Sequence, residues 1–464
     1  MRILLNRPYT ATEIAEIAGG VALGAHRSGK YLTTDTRELK QGDIFVALRG
    51  ENFDGNRFLA EAAERGAAFL ITEEEPTPLY PSVCVKNSYT ALTALAKEAR
   101  ERIAPTVIAI TGSVGKTTVK NMISAVLSPR FRVHKTEGNH NNLLGTSLTL
   151  LSMPQDTEIL VAEAGMNHMG ELAELSVLLC PDIAVITNIG RAHIGNLGSR
   201  ENIARAKLEI LLHAVPGAFL LCPENEPLLA GHIGCFRRIT VGDGAAADCR
   251  YQNYAGEYAD FSFRERRYPK LRLSAVGIHT AYCACFAVAL GSVFGIGEEE
   301  IRRALAAPQT DGMRGECAYV GGICLIKDCY NAAPESVKSA LTLLAERNGG
   351  RKIALLGDML ELGEYTRALH EEIGEFVAKT GVDLLFTFGA AAQHYASGAR
   401  RAGMAEECIF ENPNPCRPED SAAALLSVLR EGDALLIKAS RALRAEQIAD
   451  MIAQKIGDMK GNGI

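Results

Sequence analysis

The chain has 464 residues, more than one hydrophobic core usually organises, so three domains are expected. Hydrophobic residues make up 47% and charged residues 22%, which excludes a largely disordered chain. The formal charge is only -6 and no long Lys/Arg run occurs, so the sequence carries no footprint for nucleic acid.

The first residues, Met1 to Pro8, lack the apolar core and small-residue cleavage site of a signal peptide. No apolar run approaches the ~20 residues that span a bilayer. A cytoplasmic monomer without a membrane span is expected. Turn-forming clusters flank Ile44 to Leu48 and mark a strand, and Phe58, Leu59, Ala62 and Ala63 then recur at helical spacing. Helix-forming residues from Tyr89 to Arg102 precede Pro105 and close a small α/β domain, residues 1–102.

Val107 to Ile110 is a β-branched run that ends in Thr111-Gly112-Ser113-Val114-Gly115-Lys116-Thr117-Thr118 and continues as a helical pattern to Leu127. Ile159 to Ala164, Ile183 to Thr187 and Phe219 to Cys222 read as further buried strands, with a helix from Glu201 to His213 before the last. Strands alternating with helices predict a mainly parallel sheet covered on both faces, residues 103–308. Residues 309–464 repeat the alternation, with strands at Lys352 to Leu356, Leu384 to Phe388 and Ala434 to Ile437 and helices beginning near Thr366 and Leu443. This predicts a C-terminal Rossmann-like domain, and since no Gly-x-Gly-x-x-Gly follows its strands, a dinucleotide is not implied. The 12 cysteines are scattered singly, and reduced, buried thiols are expected, including Cys283 and Cys285 in an apolar helical run.

A strand that delivers Gly112, Ser113, Val114 and Gly115 into a helix start presents backbone N–H groups and the positive end of a helix dipole, the setting for phosphate. Lys116 is placed to reach the β and γ phosphates of ATP, and the Thr117 hydroxyl to complete a magnesium shell, with Thr118 beside it. The common P-loop pattern has glycine where Ile110 stands. Glu163 ends a buried strand and His193 follows another, which puts both at the sheet edge where ligands of open α/β sheets gather, as candidate metal ligands. Helical pattern alone reads Lys207 as one more exposed helix lysine.

Together these segments, with Thr136-Glu137-Gly138-Asn139-His140-Asn141-Asn142, Asn188 to His193, Ala206-Lys207-Leu208-Glu209 and Gly357-Asp358-Met359-Leu360-Glu361-Leu362-Gly363-Glu364 followed by His370, resemble the Mur ligases of peptidoglycan synthesis, in family order. The Gly357 to Glu364 stretch resembles the branch that adds D-alanyl-D-alanine to UDP-N-acetylmuramoyl-tripeptide, and Asp35-Thr36-Arg37 with Gly42 to Leu48 resembles its UDP-substrate domain. The resemblance implies an ATP-dependent, magnesium-requiring ligase working through an acyl phosphate. It implies that Thr117 and Glu163 hold one magnesium and that Glu163, His193 and a carbamylated Lys207 serve a second. Asn139, Asn141 and Asn142 would border the reacting groups, and Thr36 and Arg37 would contact the uridine nucleotide. Arg314 and Asp328 would approach ATP from the C-terminal domain, with Lys438, Ser440 and Arg441 near the closed site. The chain departs from the family pattern at Lys327, an acid in the usual motif, at Thr280 and Cys283, both usually Asn, at Asn56, usually His, and at Ala439, usually Gly. Another Mur-type amide ligase, a folylpolyglutamate-like ligase and a P-loop switch ATPase are the competing expectations.

Overall fold

The computed structural model describes residues 1–24, 27–50, 53–75, 79–230, 236–308, 315–347, 349–412 and 417–461, the side chains of 458–461 aside. Three large sheets follow one another along the chain.

The first has six strands in the spatial order Arg2–Thr10, Ser28–Thr33, Ile44–Val46, Phe69–Thr72, Ser82–Cys84 and Val21–Leu23, parallel through its middle and antiparallel at both ends. The expected strand at Ile44 stops at Val46. The helix Ser88–Ile103 that closes this region starts on Asn87, whose side chain accepts from the Thr90 amide at 2.8 Å.

The second sheet has nine strands. Val133–Lys135, Ile159–Glu163, Thr106–Thr111, Ile183–Ile186, Phe219–Pro223, Arg237–Gly242 and Cys249–Ala255 run parallel in that order. The antiparallel strands Tyr258–Phe263 and Arg266–Arg272 extend its edge. Thr106–Thr111 lies between the later strands Ile159–Glu163 and Ile183–Ile186, so connections leave it to both sides and a crevice opens at its C-terminal end. Helix Lys116–Leu127 and helix Ile278–Val293 cover one face, where Ile108, Ile110, Val119, Ile123, Phe286 and Leu290 share a buried cluster. Cys283 and Cys285 are buried in that helix as free thiols, and burial pushes the Cys283 thiol up to about 12. The predicted helix at Glu201 to His213 is an α-helix over Arg200–Leu208 that tightens into a 3-10 turn, Glu209–Leu211.

The third sheet has the order Glu316–Val320, Ile323–Asp328, Ala434–Lys438, Lys352–Gly357, Leu384–Phe388 and Ile409–Asn412, parallel except for its first strand. The helix expected near Leu443 is a 3-10 turn at Arg441–Leu443 followed by helix Glu446–Gly461. The mixed, mainly parallel α/β class read from the sequence is the class observed. Among the described residues no helix is long and apolar enough to cross a membrane.

Candidate active site

The site is built at the C-terminal edge of the second sheet, where Thr106–Thr111 runs into the glycine loop. Gly112 has φ 148°, and a Cβ there would collide with the Thr187 hydroxyl. Gly115 has φ 83° and caps the helix, with a would-be Cβ only 3.3 Å from Cys283 Sγ. Asn188 clamps the loop: its Oδ1 accepts from the amides of Ser113 and Val114 at 3.1 and 3.0 Å, and its Nδ2 donates to Val114 O at 3.1 Å. Ser113 Oγ in turn accepts from the Gly190 amide at 2.9 Å. Val119 is the first amide bonded back to Gly115, so the amides of Lys116, Thr117 and Thr118 have no intrahelical acceptor and lie at the positive helix end. Lys116 Nζ lies across the loop, 2.8 Å from Gly112 O.

Behind the loop, Glu163 is 1% exposed. Its Oε2 accepts from Thr117 Oγ1 at 2.8 Å and its Oε1 from Asn141 Nδ2 at 2.9 Å. The fit to magnesium follows from this donor set: hydroxyl and carboxylate oxygens beside a phosphate cradle, with Glu163 on the cavity lining. Among the described residues no group of three or more His, Cys, Asp or Glu forms a protein-only metal cage. Lys120, one turn beyond Lys116, is also 1% exposed and sits 3.8 Å from Glu163 Oε2 and 3.4 Å from Gly138 O. Sequence reading missed it, although its spacing of four from Lys116 puts both on one helix face.

Lys207 is 2% exposed, which corrects the surface-lysine reading of the helix pattern. Burial, and then the charge of Lys116, push its ammonium well below the ordinary lysine range. His193 holds φ 62°, a strained value for a residue with a Cβ. Its Nδ1 lies 2.5 Å from Glu361 Oε2 in the third-sheet region, off the line of a well-formed hydrogen bond. That approach holds the Glu361 carboxyl below its usual range against the opposing effect of burial.

A cavity of about 650 Å³ opens between the second and third sheets. Of the residues expected at the site, it brings together Ser113, Val114, Gly115, Lys116, Thr118, Asn141, Asn142, Glu163, His193, Asp328 and Lys438. Thr117 touches the cavity only through Glu163. Gly112, Asn139 and Lys207 are not on its lining, nor are Thr36 and Arg37 of the first sheet region, where Arg37 is engaged by Asp35 at 2.6 Å. Ser440 is turned to the Gly357–Gly363 loop, accepting from the Leu360 amide at 2.9 Å, and Arg441 pairs with Glu446 at 2.8 Å. Arg314 lies outside the described residues. Lys327, the reversed charge, leaves the site: its Nζ reaches Asp450 on the outer helix at 2.9 Å, while Asp328, next along the strand, faces Lys438. His279, Tyr330 and Asn331 also line the cavity and were not among the expected site residues.

Family comparison rests on the whole chain. The Mur ligase family catalytic domain matches residues 30–107, the Mur ligase middle domain residues 110–291, and the Mur ligase glutamate ligase domain residues 313–441. A UDP-N-acetylmuramoyl-tripeptide--D-alanyl-D-alanine ligase of Bacillus subtilis (strain 168) is 37% identical over 448 residues, 95% of this chain and 97% of that protein. The chain belongs to the Mur ligase family. The Escherichia coli (strain K12) Mur ligase of the same name is 31% identical and is covered to 97% by 95% of this chain. Among solved Mur ligases, MurF from Acinetobacter baumannii superposes with a TM-score of 0.89 at 28% identity, over 97% of this chain and 100% of that one. MurF from Thermotoga maritima in complex with ADP gives 0.82 at 28% identity, over 92% and 98%.

Proposed function

We propose that the chain is an ATP-dependent ligase that joins D-alanyl-D-alanine to UDP-N-acetylmuramoyl-tripeptide. The observation that carries this reading is the meeting, across one cavity, of the Lys116 phosphate loop and Glu163 with Asp328 and Lys438 of the third sheet. A phosphate site shared between two sheets, in a chain of this family, suits synthesis on a bound acyl group better than a switch, which needs only its own loop. In this reading residues 1–102 take the UDP-substrate through Thr36 and Arg37, 103–308 take ATP, and 309–464 present the amine. The enzyme works as a cytoplasmic monomer.

Thr117 and Glu163 would hold one magnesium, and Glu163, His193 and carbamylated Lys207 the second; bound magnesium supplies charge neutralisation for the phosphates. Among the described residues Lys207 has no ion pair, and a buried lysine of this kind adds carbon dioxide once its ammonium has given up a proton: an N–C bond forms, the nitrogen loses a second proton, and the former cation becomes an anion. Lys116 follows the phosphoryl oxygens, where charge spreads during transfer. The tripeptide carboxylate attacks the γ-phosphorus, ADP leaves, and Asn141 and Asn142 border the acyl phosphate. The neutral dipeptide amine then attacks the carbonyl, the C–O bond to phosphate breaks with its electron pair leaving on phosphate, and the nitrogen gives up one proton to form the amide. Enclosure between the two sheets keeps water from the activated acyl group.

With the tripeptide carboxylate labelled by oxygen-18, one label is expected in the released phosphate, and phosphate release should require the amine. Unlabelled phosphate during full peptide formation would sink the acyl phosphate route; amine-independent release would favour a switch.

A further inference from the structure

We propose that Glu361 is a positioning residue for His193, delivered to it by docking of the Gly357–Gly363 loop on residues 190–198. This inference rests on the reading of His193 given above and adds the group that orients it.

The loop meets the second-sheet region backbone to backbone. The Gly195 amide donates to Glu361 O at 3.0 Å. A Cβ on Gly195 would stand 2.5 Å from Gly363 N and 2.7 Å from Leu362 C, and one on Gly363 would stand 2.9 Å from Gly195 Cα. No side chain separates Gly195 from Gly363, so at this point the seat is set by main-chain shape. Tyr365 Oη donates to Gly198 O at 2.8 Å and fixes one end. Arg191 fixes the other, its Nε donating to Glu335 at 3.0 Å and its terminal nitrogens to both oxygens of Glu372 at 2.6 and 2.9 Å. Lys338 shares Glu372 at 2.6 Å. Charge-assisted, two-pronged contacts of this sort define orientation as well as energy.

At the centre of this seat Glu361 reaches His193. Nδ1 is buried, makes no well-aligned hydrogen bond among the described residues, and has Glu361 Oε2 2.5 Å away, close enough for a small ring rotation to bring the two into line. A carboxylate facing one ring nitrogen fixes the proton there and leaves the lone pair on the other, the arrangement a cation-binding imidazole requires. With Nδ1 committed to Glu361, Nε2 is the nitrogen left for the cavity. Glu361 comes from the third-sheet region and His193 from the second, so the imidazole is set only when the two are docked. Arrival of the amine-presenting region is thereby registered at the phosphate site before chemistry begins.

The test uses the full-length enzyme and nitrogen-15 spectra of His193 in the presence of a non-hydrolysable ATP analogue and magnesium. Wild type should show the Nδ1-protonated tautomer. Glu361→Ala should lose that signature and about tenfold or more in kcat, a loss of the size usual for partners of metal-binding histidines, with KM for ATP changed by less than about twofold. Glu361→Gln, whose amide oxygen still accepts, should recover part of both. Gly195→Ala removes no polar group and should reproduce the Glu361→Ala spectrum by propping the seat open. A wild-type His193 spectrum and kcat in Glu361→Ala, or in Gly195→Ala, would overturn the proposal. If wild type failed to ligate at all, the ligase reading would fall, and the tautomer comparison would still decide the role of Glu361.

Discussion

Lys438 and Asp328 stand opposite each other on neighbouring parallel strands, with Nζ 2.6 Å from Oδ2 and the ammonium also donating to Asn331 O at 2.9 Å. Lys438 is 2% exposed, so its ammonium is kept from water and paired with that carboxylate. Asp328→Asn should destabilise the protein by about 3 kcal/mol, because it strands a buried cation. Lys438→Met combined with Asp328→Asn should recover a large part of that loss in urea unfolding. Additive losses in the double variant would show that the pair is not coupled.

Glu163→Gln keeps one acceptor, enough for Thr117, while it removes the charge and replaces the oxygen that accepts from Asn141 with a donor. Nucleotide binding should keep its affinity without magnesium and lose roughly tenfold or more of the magnesium-dependent gain, with kcat down at least about a hundredfold. Calorimetric titration of a nucleotide analogue with and without magnesium separates these. An unchanged magnesium dependence would remove Glu163 from the metal site.

Lys207→Ala should lose most activity, and a short carboxylic acid should restore part by standing in for the carbamate. Depleting bicarbonate should slow wild type and leave the rescued variant unaffected. Near-normal activity of Lys207→Ala would leave the buried amine with a packing role alone.

His370 supplies the clearest pH effect. It is fully buried, its Nε2 accepting from the Met359 amide at 3.1 Å and its Nδ1 donating to Thr366 O at 2.6 Å. Burial depresses its pKa from 6.5 to about 4. A folded-state pKa below the unfolded one means that the unfolded chain binds the extra proton. The stability is therefore complete above pH ~6.5 and falls as pH drops toward ~4, by on the order of 3 kcal/mol across that window. His370→Gln should be less stable at pH 7 and show a flatter decline between pH 6.5 and 4. A parallel decline in both proteins would assign the acid sensitivity elsewhere.

The central strands were legible because they are buried on both faces: Ile183–Ile186 has no exposed position, and such runs read as continuous apolar sequence. The edge strands were not. Arg266–Arg272 buries only Tyr268 and Leu271, a spacing of three produced by an irregular pairing with Tyr258–Phe263, so no alternation marks it. The phosphate loop announced itself through local geometry, which a contiguous motif records. Lys207 did not, since its burial is made by elements distant in sequence. Arg191 likewise gives no hint of its partners, which lie 144 and 181 residues away. Lys327 looked disruptive in sequence, where a charge has no direction; strand pleat turns it outward to Asp450.

The main-chain contact at Gly195 and Gly363 also bears on inhibition. The cavity that holds the phosphate loop has one wall on each side of that seam, so a small molecule lodged there need not imitate nucleotide to be effective. Holding the walls slightly too far apart would suffice, because at the point where the two glycines touch there is no side chain to take up the gap. Such a compound would act as a wedge, and its potency should rise little when ATP is scarce.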